Sequence, residues 1–404
     1  MQTALADIIR DTPQGREADA VLRSCVHCGM CNATCPTYQL LGDELDGPRG
    51  RIYLIKQMLE GAAVTRHTLT HLDRCLTCRN CETTCPSGVQ YHKLLNIGRD
   101  IAEQKVPRRW NDRLARWALR KIIPYPARFT PLLRLGQLFR PLLPPSLKRQ
   151  VPPYQSRGAW PWPATRHART MLVLQGCAQP GIAPGINVAT ARVLDKLGIS
   201  LIETPGAGCC GAASHHTSGV EDGLDFARAN IDAWWPHLDA GAEAIVMTAS
   251  GCGVHVKEYG QLLKHDSAYA SKAKKVSELT KDIGEILSQQ DLSKLKTGVP
   301  PGTKVAFHSP CSLQHGQRLN GMVEKILREL GFTLTPVPDA HLCCGSAGTY
   351  SILQHGLSQR LLKNKVHSLE AGGPEIVATA NIGCLAHIQS GTAVPVRHWI
   401  ELLD

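Results

Sequence analysis

Apolar positions change their rhythm along this chain of 404 residues. From Pro48 to Glu60 they recur at approximately helical spacing, with Ile52, Leu54, Ile55, Met58 and Leu59 apolar and Arg49, Arg51, Lys56 and Gln57 polar. That pattern predicts a helix and a largely helical N-terminal region. Further on, Trp110, Leu114, Trp117, Leu119, Ile122 and Ile123 interleave with Arg109, Arg113, Arg116, Arg120 and Lys121 as in a basic amphipathic helix, and Leu132, Leu133, Leu135, Leu138, Phe139, Leu142 and Leu143 continue the apolar supply. After residue 170 short apolar runs alternate with helical stretches: Met171–Leu174, Leu201–Ile202 and Ile245–Met247, then Val305–Phe307, Thr333–Thr335 and Ile376–Ala378. Such alternation predicts a parallel or mixed α/β sheet, here twice. No run of about 18 to 20 apolar residues is free of charge, so no transmembrane helix is expected. Met1–Gln14 lacks the continuous apolar stretch of a secretory signal.

Length and a 43% hydrophobic composition allow two to four units. The expected fold is α+β and multidomain: a helical domain over 1–104, a linker over 105–169, and two α/β domains over 170–290 and 303–404. The net charge of +11 is concentrated in the linker, which holds fifteen Lys or Arg against Asp112 alone. It is also rich in proline, with Pro141, Pro144, Pro145, Pro152, Pro153, Pro161 and Pro163. A basic amphipathic segment suits an anionic bilayer surface, or equally a connector packed on its own domains or on a partner. Nucleic acid is not an expected partner, because aromatic residues make up only 5% of the chain and the basic segment is apolar and proline-rich.

The sixteen cysteines fall into two sets of eight. Without an export signal they are expected in a reducing compartment, where thiols serve metals or redox chemistry. Cys25-x2-Cys28-x2-Cys31-x3-Cys35-Pro36 recurs fifty residues later as Cys75-x2-Cys78-x2-Cys81-x3-Cys85-Pro86. Three cysteines at two-residue gaps let a short loop wrap three irons of a cubane, and in two-cluster ferredoxins the cysteine before proline reaches the other cluster. One [4Fe–4S] cluster is therefore assigned to Cys25, Cys28, Cys31 and Cys85, and a second to Cys75, Cys78, Cys81 and Cys35. A pair of zinc knots is the alternative, but zinc motifs usually supply two cysteines per knuckle. Arg49, Arg51 and Arg74 are candidates to raise cluster potentials, or are simply solvated.

The second set is itself duplicated. Cys177 aligns with Cys311 and Gly208-Cys209-Cys210-Gly211 with Leu342-Cys343-Cys344-Gly345, each 134 residues on, and Cys252 aligns with Cys384. Ala244-Ile-Val-Met-Thr-Ala-Ser-Gly-Cys252 also resembles Glu375-Ile-Val-Ala-Thr-Ala-Asn-Ile-Gly-Cys384. Two homologous domains follow. Several predicted strands end just before a cysteine, and open α/β sheets bind ligands beyond the carboxyl ends of their strands. Each copy thus predicts four converging cysteines, with Gly211 and Gly345 permitting a tight turn. Zinc, a further iron–sulfur cluster and a reactive thiol pair all fit, and packing as small hydrophobes is the plain alternative.

Taken together, these motifs resemble the family of glycolate oxidase iron–sulfur subunits across essentially the whole chain. The resemblance is carried by Leu40-Leu-Gly-Asp-Glu-Leu-Asp-Gly-Pro-Arg-Gly-Arg-Ile-Tyr-Leu-Ile55, Asp73-Arg-Cys-Leu-Thr-Cys-Arg-Asn-Cys-Glu-Thr-Thr-Cys-Pro86 and His341-Leu-Cys-Cys-Gly-Ser-Ala-Gly-Thr-Tyr350. It implies an oxidoreductase complex converting glycolate to glyoxylate, in which FAD-containing partner subunits take the hydride and this chain passes electrons to a quinone-type acceptor. It further implies a cytoplasmic protein, peripheral on the cytoplasmic face of the inner membrane. In keeping with that, no residue is assigned a catalytic role on glycolate. The architecture is shared with subunits acting on lactate, glycerol 3-phosphate or heterodisulfides, which form the alternative. One departure concerns the cysteine-rich domains: the heterodisulfide-reductase relatives end each repeat in Cys-x-x-Cys, whereas this chain has Cys252-Gly-Val-His255 and Cys384-Leu-Ala-His387. His387, and less strongly His255, is a candidate replacement ligand.

Overall fold

A computed structural model describes residues 1–144, 148, 151–155, 161–300 and 302–404. The chain divides into two compact units, one of Met1–Trp117 with His341–Leu361, the other of Ala118–Ala340 with Leu362–Asp404.

The first unit is helical. Its main helices are α1 (Pro13–Ser24), α2 (Pro48–Leu59), α3 (Arg66–Asp73) and α4 (Tyr91–Lys105). Helix α1 starts where Thr12 accepts from the Gly15 amide and Pro13 supplies a preset φ, and α3 starts at the reciprocal pair Thr65 and Thr68. Helix α2 occupies the stretch whose periodicity predicted it. The apolar faces meet in a core that fully buries Leu22, Ile55, Leu59, Leu72, Leu94 and Leu95, each contributing roughly 1.5–3 kcal/mol. The segment His341–Leu361 is held to this module by three hydrogen bonds. Asn80 Nδ2 donates to the carbonyl of His341 at 3.2 Å, the Tyr350 hydroxyl to that of Arg74 at 3.1 Å, and Arg360 to that of Leu40 at 2.8 Å.

The basic segment forms α5 (Trp110–Ile122) and α6 (Pro126–Phe139). Part of its charge is spent internally: Arg108 and Arg116 pair with Asp73 at 2.6 and 3.1 Å, and Arg116 also reaches Asp112. In the second unit Tyr125 packs on Phe226, with ring centroids 5.5 Å apart. Trp110, Leu114 and Trp117, at i, i+4 and i+7 on one face of α5, stay exposed, as do Leu132, Leu135 and Leu138. Pro145, Arg149 and Arg157 of this segment lie outside the described residues. Among the described residues no helix is long and apolar enough to cross a membrane.

The second unit holds two parallel four-stranded sheets. The first orders β1 (Arg169–Val173), β2 (Ile199–Glu203), β3 (Ile245–Met247) and β4 (Thr280–Asp282) as β2-β1-β3-β4. The second repeats this with β5 (Lys304–His308), β6 (Thr333–Leu334), β7 (Ile376–Thr379) and β8 (Val396–His398), ordered β6-β5-β7-β8. Each of the six predicted apolar runs coincides with a strand, Leu174 and Thr335 falling one residue past the ends of β1 and β6. The edge strands β4 and β8 are additions, each three residues long and partly polar. The two sheets meet at their carboxyl ends: the Ser250 amide donates to the carbonyl of Ala380 at 3.1 Å, the hydroxyls of Ser250 and Ser312 lie 2.8 Å apart, and His398 Nε2 donates to the carbonyl of Thr248 at 2.8 Å.

Candidate metal centres

The two proline-ended cysteine runs of the first unit surround two cavities. Cys25, Cys28, Cys31 and Cys85 line one, together with Arg49, Ile52 and Cys81, which borders both cavities. Cys35, Cys75, Cys78 and Cys81 line the other, with Thr37, Arg51 and Tyr91. The structure thus groups the last cysteine of each run with the first three of the other. Backbone geometry repeats as well: His27 and Gly29 in one loop, and Thr77 and Arg79 fifty residues later, all have φ between 55° and 85°. These left-handed turns fold three thiols toward one point, and they are costly for side-chain-bearing residues.

Packing the thiols together makes their ionisation harder. Burial and then Cys25, Cys85 and Cys28 push the Cys31 thiol up to about 11. Cys25 is raised mainly by burial, and Cys81 well above its usual value by burial and by Cys78, Cys75, Glu82 and Cys35. A cationic iron centre removes that mutual repulsion, so the donor sets suit one.

The two cavities differ in their charged surroundings. Beside the first, Arg49 is half-buried and its guanidinium is paired with Glu44 at 2.6 and 3.1 Å. Beside the second, Arg51 is 1% exposed. Its Nε donates to the carbonyl of His71 at 2.7 Å and both terminal nitrogens donate to Thr37 Oγ1 at 3.2 Å. Thr37 Oγ1 lies 3.3 Å from Cys35 Sγ. Burial alone would lower the Arg51 pKa, but Cys75, Tyr91, Cys35 and Asp46 raise it, so the charge is retained. Asp46, wholly buried, accepts from Arg51, from Arg74 at 2.7 Å and from His71 Nδ1 at 3.0 Å. Arg99 adds a bond to the carbonyl of Cys75 at 2.8 Å.

In the second unit, Cys177 and Cys252 lie beyond the carboxyl ends of β1 and β3, the neighbours at which the strand order reverses. That crevice is the usual ligand position in open α/β sheets. The loop after β2 brings Cys209 and Cys210 to them. Cys209 interacts with Cys177 and Cys210, and Cys210 with Cys252, so four thiols form a chain of contacts. Cys210 is the one whose pKa is depressed, by the thiols of Cys209 and Cys252 and by nearby His255. Gly211, at φ +91°, makes the turn possible: a Cβ there would sit 2.5 Å from the carbonyl oxygen of Gly223. Asn230 and Tyr259 fix the loop through bonds to the carbonyls of Cys209 at 2.8 Å and Cys210 at 2.7 Å. His255, one turn after Cys252 on α7 (Ser250–Lys257), is 2% exposed, and its Nε2 has no hydrogen-bond partner. His215 packs on it, ring centroids 5.4 Å apart, and burial lowers the His215 pKa to about 3.

The members of the second Cys-Cys-Gly repeat are divided. Cys343 and Cys344 are buried in the first unit, where Gly345 at φ +90° repeats the Gly211 turn. Cys311 and Cys384 belong to the second unit, with His387 partly exposed on α8 (Ile382–Gln389). There, buried His308 at the end of β5 comes within 4.8 Å of the Cys384 sulfur, and neither of its ring nitrogens has a hydrogen-bond partner. Sequence reading did not select His308, since the first repeat has Leu174 at that position. Nor did it select Asp46, His71, Asn80, Asn230 or Tyr259, whose roles come from partners distant in sequence.

Comparison with known proteins agrees with these motifs. Residues 21–89 match the 4Fe-4S dicluster domain, and residues 171–257 and 305–389 each match the cysteine-rich domain. The chain is 58% identical to the glycolate oxidase iron-sulfur subunit of Escherichia coli strain K12, over 100% of this chain and 98% of that one. It is 28% identical to lactate utilization protein A of Bacillus licheniformis, over 54% of this chain and 92% of that one. Among solved structures, a hypothetical protein from Helicobacter pylori shares the fold with a TM-score of 0.52 and 10% identity, over 96% of this chain and 71% of that one.

Proposed function

Because this chain belongs to the family of glycolate oxidase iron–sulfur subunits, we propose that it carries electrons one at a time from an FAD-containing partner, which oxidises glycolate to glyoxylate, toward a quinone-type acceptor. The observation behind this reading is the pair of cavities in one small helical module, lined between them by all eight cysteines of the two runs. We assign Cys25, Cys28, Cys31 and Cys85 to one [4Fe–4S] cluster and Cys35, Cys75, Cys78 and Cys81 to the other. Each cluster, when bound, accepts and releases one electron. The protein's part is to hold eight sulfurs in place through the left-handed turns, to shield the centres with Ile52 and Tyr91, and to supply charge through Arg51 and Arg74. No residue of the chain acts on glycolate itself. Anaerobic co-purification with the partner subunits, followed by EPR, tests this: glycolate should reduce the clusters. Reduction by lactate but not by glycolate would replace the substrate, and zinc in place of iron and sulfide would remove the role.

We further propose that Cys177, Cys209, Cys210 and Cys252 hold a thiophilic metal centre, supported by the depressed Cys210 thiol and the orphaned His255 Nε2 beside it. The same reading passes to Cys311, Cys343, Cys344 and Cys384 with His387 on the repeat alone. Metal analysis of Cys209→Ser/Cys210→Ser and Cys343→Ser/Cys344→Ser chains decides both, since unchanged iron and zinc would dispose of them. Peripheral attachment to an anionic membrane face is supported by exposed Trp110, Leu114 and Trp117 flanked by exposed Arg109 and Arg113. A Trp110→Ser/Leu114→Ser/Trp117→Ser chain that still floats fully with anionic vesicles would reject it.

A further inference from the structure

We propose that Arg51 makes the two clusters unequal, setting the centre held by Cys35, Cys75, Cys78 and Cys81 at the higher potential so that electrons entering the module collect there. The inference rests on the ligand assignment above and adds the order of the two centres. A reduced cluster carries one more negative charge than its oxidised form, so a nearby fixed cation favours reduction. How strongly it does so depends on screening by water.

The residues around the two cavities divide sharply on that criterion. Arg49, beside the first, is 36% exposed and is neutralised by a two-point pair with Glu44. Arg51, beside the second, is sealed from water and spends its donors on neutral oxygens of His71 and Thr37, with a longer 3.4 Å contact to Asp46. Thr37 Oγ1, whose own proton goes to the carbonyl of Asp46 at 2.8 Å, lies 3.3 Å from Cys35 Sγ and so holds the guanidinium beside that ligand. Asp46 offsets only part of the cationic charge here, because one carboxylate is shared between Arg51 and Arg74, the latter at 2.7 Å from its other oxygen. Arg99 adds a third cation at the carbonyl of Cys75, against Glu82, which is itself engaged by His92 at 2.9 Å. Solvent works the other way, since Cys28 of the first cavity is exposed and hydration also favours the reduced form. The two influences therefore predict opposite orders. Each transfer moves one electron from a reduced cluster to its oxidised neighbour, with no bond made or broken.

The test is an EPR-monitored redox titration of the full chain, reduced by dithionite so that neither glycolate nor a partner subunit is needed. Cys78→Ser identifies which signal belongs to the second cavity. That signal should titrate at the higher potential. In Arg51→Gln it should fall so far that, at the poise that half-reduces the native centre, the ratio of reduced to oxidised cluster drops at least tenfold, which is 59 mV for one electron. The other signal should change less than twofold. Arg51→Lys should keep the native order even if the chain is less stable, and Asp46→Asn should move the second signal upward. Should Arg51→Gln not fold, these two variants carry the test, and unshifted potentials in Asp46→Asn overturn the proposal. It is equally overturned by a higher potential for the first cavity, or by equal shifts of both signals in Arg51→Gln. Loss of iron in the native chain would instead sink the ligand assignment, so the two failures are told apart.

Discussion

Asn80 places its side-chain amide between two carbonyl oxygens, that of Thr34 at 3.0 Å and that of His341 at 3.2 Å. One residue of the second cysteine loop thereby ties down the end of the first loop and the segment that carries Cys343 and Cys344. Asn80 is 2% exposed, so truncation leaves two acceptors unpaired without admitting a substitute. Each lost bond in such a setting costs about 1–3 kcal/mol. Asn80→Ala should lower the unfolding midpoint and speed loss of iron from the cavity of Cys35, Cys75, Cys78 and Cys81. Iron release to a chelator, followed against time, measures this. A rate equal to the native one would show that the bonds are incidental.

Crosswise ligation makes a pairing prediction that straight ligation contradicts. If Cys85 serves the loop of Cys25, Cys28 and Cys31, then Cys85→Ser and Cys28→Ser should perturb the same EPR signal, while Cys35→Ser and Cys78→Ser perturb the other. Each substitution should remove about four irons per chain, the content of one cubane. Straight ligation instead couples Cys35→Ser with Cys28→Ser.

The cysteine positions and the six main strands were legible because their signals are local: fixed spacings within a run, apolar runs bounded by turns, and a repeat that displays both twice. Helix α2 was legible for the same reason. What escaped the sequence depends on residues far apart. Asp46 reads as an ordinary acid in a turn, yet burial beneath Arg51, His71 and Arg74 turns it into the hub of a charge network. Strands β4 and β8 are short and partly polar, and exist because a neighbouring strand offers free edge groups. For the basic segment the sequence leaves a membrane-facing helix and a packed connector equally open, and only the fold shows that Arg108 and Arg116 pair with Asp73. His308 carries no spacing signal, and only the fold brings it beside Cys384.

The glycine after each cysteine pair should resist substitution for two reasons at once. At Gly211 and Gly345 φ is near +90°, and an added Cβ would meet a backbone carbonyl oxygen at 2.5 and 2.7 Å. Gly208, three residues earlier, has open space around it. Gly211→Ala and Gly345→Ala should therefore each destabilise the protein by roughly 1–3 kcal/mol or more, whereas Gly208→Ala should be near neutral. Thermal unfolding of the three variants compares them directly. A Gly208→Ala chain as damaged as Gly211→Ala would mean that the loop tolerates no change for some reason other than the turn.

Asp282 ends β4 and caps the following helix, accepting from the Gly284 amide at 2.9 Å while fully buried. Desolvation raises its pKa to about 7, against the partial help of that amide. The folded state therefore keeps a proton that the unfolded chain releases near pH 4. Between these limits the unfolded state binds fewer protons, so stability contributed at this site is full below about pH 4 and declines as pH rises toward 7, then levels off. Asparagine caps as well as aspartate and carries no charge to bury. Asp282→Asn should thus raise stability by up to about 4 kcal/mol at pH 8 and by only about 1.5 kcal/mol at pH 5. Denaturant unfolding of both chains at the two pH values measures the difference. An advantage larger at pH 5 than at pH 8 would reverse the sign and show that the buried carboxylate is stabilised, ionised, by its surroundings.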